Sequence, residues 1–122
     1  MPRRLAGANF SGQLRLRFTL SADPSSIHGT VKNSDDRVPN APVYLEAYDL
    51  AEGRRVAELR TAISDMRGQY RFDELAPGGY RILATFEYLA PDVSVMSEAG
   101  AQTLTVDAHA DVARDLDLYT IR

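Results

Sequence analysis

Ser64-Asp65-Met66-Arg67-Gly68-Gln69-Tyr70-Arg71-Phe72-Asp73-Glu74-Leu75-Ala76-Pro77-Gly78-Gly79-Tyr80 carries the densest structural signal in the chain. Asp65 and Gly68 have the spacing of a four-residue turn with Asp first and Gly last. An Asp carboxylate bonds the backbone two residues on, and Gly accepts positive φ without a Cβ clash. Gln69 to Asp73 then alternates, with Tyr70 and Phe72 on one face and Arg71 on the other. That is the period of a half-buried strand, and Leu75 plugs its end. Pro77 fixes φ, and Gly78-Gly79 lets the chain reverse. From Tyr80 the period returns: Tyr80, Ile82, Ala84 and Phe86 point one way; Arg81, Leu83, Thr85 and Glu87 the other. Tyr80 after this corner resembles a tyrosine corner, whose hydroxyl ties back to the backbone.

Upstream the same period recurs. Leu14, Leu16, Phe18 and Leu20 alternate with Arg15, Arg17 and Thr19, a strand with one greasy face. Pro24 lies in the break that follows, and 27–32 is a short strand. Asp35, Asp36 and Pro39 mark a turn cluster before a strand at 42–49, in which Val43, Leu45 and Ala47 oppose Tyr44, Glu46 and Tyr48. A charged loop around Gly53 leads to a strand at 56–64. Downstream, 87–100 reads as a long loop with at most a short helix near Met96, followed by strands at 102–107 and 112–119. Residues 1–12 read as a polar lead-in without the apolar core of a signal peptide. Strands with turn signals about every ten residues are the pattern of a β-sandwich. The expected core is Val31, Val43, Leu45, Tyr70, Phe72, Leu75, Ile82, Ala84, Leu104, Val106, Leu116 and Leu118.

With 122 residues there is room for one domain of ordinary size, and 44% hydrophobic with 25% charged residues suits a globule. A net charge of −3 gives no argument for a nucleic-acid partner, and no apolar run has the length for membrane insertion. The chain has no cysteine, which rules out disulfides and thiolate chemistry.

Four stretches, Ile27-His28-Gly29-Thr30-Val31, Val38 to Leu45, Ser64 to Phe72 and Leu75 to Tyr80, together resemble the carboxypeptidase regulatory-like domain. The resemblance implies an all-β, Ig-like or transthyretin-like (prealbumin-like) seven-stranded Greek-key sandwich over 27–122. The family's glycine before Ala41 is Asn40 here, a residue that tolerates left-handed φ. Residues 1–26, with the strand at 14–20, are then surplus and resemble the closing strand of a preceding domain. The implied function is a non-catalytic accessory module of a larger exported bacterial protein, a spacer or protein-interaction domain. Its location would be periplasmic, outer-membrane-associated or extracellular. Its partners would be other domains of the same polypeptide, other proteins, or a second copy of the chain joined through 14–20.

The chemistry-bearing residues point the same way. His28 and His109 are the only histidines, too few for a zinc site of three or four ligands. Asp65, and the pairs Asp35-Asp36 and Asp73-Glu74, sit at strand ends without EF-hand spacing. No glycine elbow surrounds a serine, so no nucleophile is expected, and no cofactor. Transthyretin-like hydrolases of purine breakdown end in Tyr-Arg-Gly-Ser, unlike Leu118-Tyr119-Thr120-Ile121-Arg122. The related adhesin repeats form isopeptide bonds between a Lys and an Asn on the last strand. Lys32 is present here, but the asparagines are Asn9, Asn33 and Asn40. The candidate binding surface is Tyr44, Glu46 and Tyr48, on the outward face of one strand. With the 87–100 loop it would suit carbohydrate as the alternative ligand. Asp65, Gly68, Pro77, Gly78 and Tyr80 are expected in structural turns.

Overall fold

The computed structural model describes residues 24–121, so the strand expected at 14–20 lies outside the described residues. The elements run β1 (Ser25–Asn33), β2 (Asp36–Arg37), β3 (Pro42–Asp49), β4 (Arg54–Arg55), β5 (Arg60–Ile63), β6 (Gln69–Leu75), β7 (Gly78–Ala84), α1 (Val93–Glu98), β8 (Gln102–Val106), β9 (Asp111–Ala113) and β10 (Leu116–Asp117). Two sheets face one another. In the first, β1 is central: β6 and β2 pair antiparallel along one side, β9 and β10 parallel along the other. In the second, β5 and β4 lie in line against β3, β7 pairs β3 on its other side, and β8 pairs β7. The all-β sandwich is the expected one, built from more and shorter strands than the seven expected.

Three local features cut the strands. The expected strand at 56–64 shortens to Arg60–Ile63, and Arg54–Arg55, expected in a loop, pairs with Tyr48 and Asp49. The last strand splits at Arg114 and Asp115. There the Arg114 carbonyl leans over Gly29 and accepts a hydrogen bond from the Tyr70 hydroxyl. A Cβ on Gly29 would sit 1.9 Å from that oxygen, so only glycine fits. Finally, β6 carries a bulge. Ser25 faces Leu75 and Ile27 faces Phe72, so Asp73 and Glu74 together oppose Ser26. Glu74 takes φ 59°, the left-handed backbone of such a bulge. The shift turns Leu75 to the core three residues after Phe72, where plain alternation would have placed Glu74.

The core holds the expected residues, with Ile27, Ala41 and Tyr80 added; Leu118 is only partly buried against it. Phe86 departs from the expected inward face: β7 ends at Ala84, and Phe86 is 56% exposed. Arg81 and Leu83 depart the other way. They point off the outer face of β7 and are nevertheless buried, because the 87–100 segment folds over that face. The segment contains the short helix α1, whose N-cap Asp92 accepts from Val95 N and whose Met96 is fully buried.

Candidate functional site

Tyr44, Glu46 and Tyr48 share the outer face of β3, as alternation requires, but they do not form an open platform. Tyr44 is 2% exposed and Glu46 fully buried. The expectation of a binding surface there is corrected by the covering segment. The Tyr44 hydroxyl donates to Tyr88 O at 3.0 Å. The Glu46 carboxylate accepts from Arg81 Nε through one oxygen and from Arg55 Nε at 2.9 Å through the other. Arg81 reaches on to Ser97 Oγ at 2.8 Å and Val93 O at 3.1 Å, and Arg55 to Pro91 O at 2.7 Å. The Arg81 guanidinium also lies 3.8 Å from the centre of the Tyr48 ring.

One carboxylate therefore holds two guanidiniums, and both of these grip the segment above. A carboxylate without water is tolerated only when charge partners and hydrogen bonds compensate it, and here each oxygen accepts from a guanidinium. Nothing local in the sequence marks Arg55 or Arg81 as a partner of Glu46. Arg81 interrupts an otherwise apolar strand and is the register partner of Glu46.

A second polar cluster lies on the outer face of the β1 sheet. The Asp111 carboxylate accepts from Ser26 Oγ at 2.5 Å and lies 3.5 Å from His28 Nε2. Its pKa is lowered, first by the Ser26 hydrogen bond and further by His28 and Arg71. Serine, histidine and aspartate are thus together, but the aspartate stands between the other two. A nucleophile would need the imidazole against the hydroxyl. Both donors are spent on one carboxylate instead.

The turn residues lie where the spacing places them. The Asp65 carboxylate accepts from Arg67 N and Gln69 N, each at 2.9 Å, and Gly68 N donates to Asp65 O at 2.9 Å. These two backbone bonds, Gln69 first, hold the Asp65 carboxyl below its ordinary pKa. Gly68 has φ 78° and Gly78 φ 147°. Pro77 precedes Gly78 at the exposed corner, and the Tyr80 hydroxyl donates back to Ala76 O at 2.6 Å. Asn40 has φ 60°. Lys32 lies 3.7 Å from Asp115, both on the surface, an ordinary exposed ion pair.

Among the described residues no cluster of three or more His, Cys, Asp or Glu could hold a metal ion. No described helix is long and apolar enough to cross a membrane.

Solved structures similar to the chain include the full-length major pilin SpaD from Corynebacterium diphtheriae, with 13% identity and a TM-score of 0.55 over 79% of this chain and 32% of that one. The major pilin subunit BcpA of Bacillus cereus is similar over 76% of this chain and 29% of that one, with 16% identity and a TM-score of 0.51. A putative carbohydrate binding protein from Pseudomonas aeruginosa is similar over 81% of this chain and 91% of that one, with 17% identity and a TM-score of 0.50. The chain thus spans about a third of the length of these two pilin chains. No curated protein matches the sequence. At these identities the likeness is one of fold. The carboxypeptidase regulatory-like domain family model matches residues 26–118, and the chain belongs to that family.

Proposed function

We propose that this chain is a non-catalytic β-sandwich module of a larger exported bacterial protein, one that spaces or orients neighbouring parts or docks a protein partner. Its place would be the periplasm, the outer membrane surface or the cell exterior. The observation that carries the reading is the Arg55–Glu46–Arg81 clamp. It commits the one buried carboxylate among the described residues, and the outer face of β3, to holding a covering layer in place. The Ser26–Asp111–His28 cluster is likewise spent internally. The pilin likeness supports the modular part of the reading, since there the same fold occupies about a third of a longer chain.

The test is a purified 1–122 chain assayed against chromogenic peptide, ester and glycoside substrates, alongside His28→Ala. No turnover is expected from either. Turnover by the parent that His28→Ala abolishes would overturn the reading.

A further inference from the structure

Tyr88 and Tyr119 stand against one another at the start of the covering segment. Their ring centres are 6.3 Å apart and their planes 18° from parallel. The chain holds six tyrosines, all among the described residues. Tyr44, Tyr70 and Tyr80 are buried, with their hydroxyls bonded to backbone oxygens, and the Tyr48 ring lies under the Arg81 guanidinium. Tyr88 and Tyr119 are half-buried, and among the described residues they are the two tyrosines whose rings meet.

Backbone holds the meeting from both sides. Tyr119 N donates to Ala84 O at 2.9 Å, and Tyr119 O accepts from the Thr85 hydroxyl at 2.9 Å. The same hydroxyl accepts from Glu87 N at 3.0 Å, one residue before Tyr88. Tyr88 O accepts from the buried Tyr44 hydroxyl. Thr85 is itself fully buried. One hydroxyl thus fixes the approach of both segments, and the two phenols are placed side by side before any reaction begins. Burial first, and then the neighbouring Tyr119 phenol, push the Tyr88 pKa up, so that phenol keeps its proton.

We propose that Tyr88 and Tyr119 are a site of oxidative coupling, joined ring to ring by a carbon–carbon bond when a haem peroxidase and hydrogen peroxide act on the chain. Each phenol gives up one electron and its hydroxyl proton. The two phenoxyl radicals join through the ring carbon beside each oxygen, and the hydrogens on those carbons pass to the oxygens to restore both phenols. The chain loses two hydrogens, and one hydrogen peroxide takes them up to become two waters. Bringing the rings into bonding contact takes rotations about χ1 and χ2, which side chains near the surface sample in picoseconds to nanoseconds. The product ties the segment over β3 and β7 to the chain beyond β10. A disulfide does this in other proteins, but this chain has no cysteine.

Dilute 1–122 chain treated with a haem peroxidase and hydrogen peroxide tests this, with a tyrosine dipeptide as the check that the oxidant is active. The parent is expected to become two hydrogens lighter at single-chain mass and to gain the fluorescence of a biphenol. Its tryptic fragments 82–114 and 115–122 hold Tyr88 and Tyr119 as their single tyrosines and should be recovered joined. Tyr88→Phe and Tyr119→Phe, which keep the ring and the backbone bonds, should each lower the yield of the joined fragment at least ten-fold. Tyr48→Phe should leave it unchanged. A parent that yields no joined fragment while the dipeptide couples would overturn the proposal. So would a joined fragment that persists in either Tyr88→Phe or Tyr119→Phe, or a bond that forms only between chains and vanishes on dilution.

Discussion

Glu46 and Arg81 are register partners on neighbouring strands, and their side chains meet beneath α1 with 0% and 7% of their surface exposed. The contact lies outside the apolar core, on the far face of the β3 sheet. It makes that sheet the middle of three layers. Removing the guanidinium alone would leave a carboxylate sealed from water with one partner. Arg81→Met is therefore expected to cost about 3–5 kcal/mol, and Glu46→Met/Arg81→Met clearly less than the sum of the single changes. Urea denaturation of the four proteins measures both. Additive losses would mean that the two side chains do not act together.

Phe72 and Phe86 should behave oppositely. Phe72 is 3% exposed between the sheets, and its truncation to Ala should cost about 3–5 kcal/mol. Phe86 lies past the end of β7, so Phe86→Ala should stay within about 0.5 kcal/mol of the parent. Thermal melts of the two variants, run side by side, decide whether β7 ends at Ala84.

Two glycines hold backbone positions that other residues cannot. Gly29→Ala puts a methyl group against the Arg114 carbonyl, backbone against backbone, with no side chain free to yield. Gly68→Ala forces a side chain into φ 78°, at a cost of about 1–2 kcal/mol. Gly29→Ala is expected to be the more damaging, lowering the melting temperature further and loosening the pairing of β9 with β1. Similar melting temperatures for both variants would show that the split between β9 and β10 is easily displaced.

Alkaline stability should report on Tyr70. Burial pushes its phenol above the ordinary value of 10.0, with Asp115 adding to the shift. Below pH 10 both folded and unfolded chains keep the proton, and the contribution is complete. Above pH 10 the unfolded phenol ionises first, so stability falls as pH rises toward the folded pKa. Tyr70→Phe should be less stable near neutrality, for want of the bond to Arg114 O, but should lose stability less steeply above pH 10. Denaturation midpoints across that range provide the check. Parallel pH profiles for the two proteins would remove Tyr70 as the cause.

The sandwich was legible because its signals are local. Asp65 and Gly68 mark their turn, Tyr70 and Phe72 their face, and Pro77 with Gly78 the corner. The covering layer was not. Alternation says that Tyr44, Glu46 and Tyr48 share a face; it does not say whether that face meets water. The missing information lay in a charge pair set 35 residues apart, Glu46 and Arg81, whose meeting depends on the register of β3 against β7. The bulge was hidden for a similar reason. Nothing in Asp73-Glu74-Leu75 announces that Glu74 will turn left-handed to bring Leu75 inward. Only the fit against Ser25 and Ile27 requires it.

The place of β1 has a consequence for how the chain is made. Its neighbours on one side are β9 and β10, so Ser26 meets Asp111 and Val31 meets Leu116 in parallel across most of the sequence. During synthesis β1 emerges long before its last partners. It can pair with β6 in the meantime, but the other side must wait until residue 117 is made. Contacts so distant in sequence are slow to form and leave a half-finished sheet open in the interval. The nascent chain should therefore be most vulnerable to misassociation with neighbouring copies late in translation, when all but its closing strands are present.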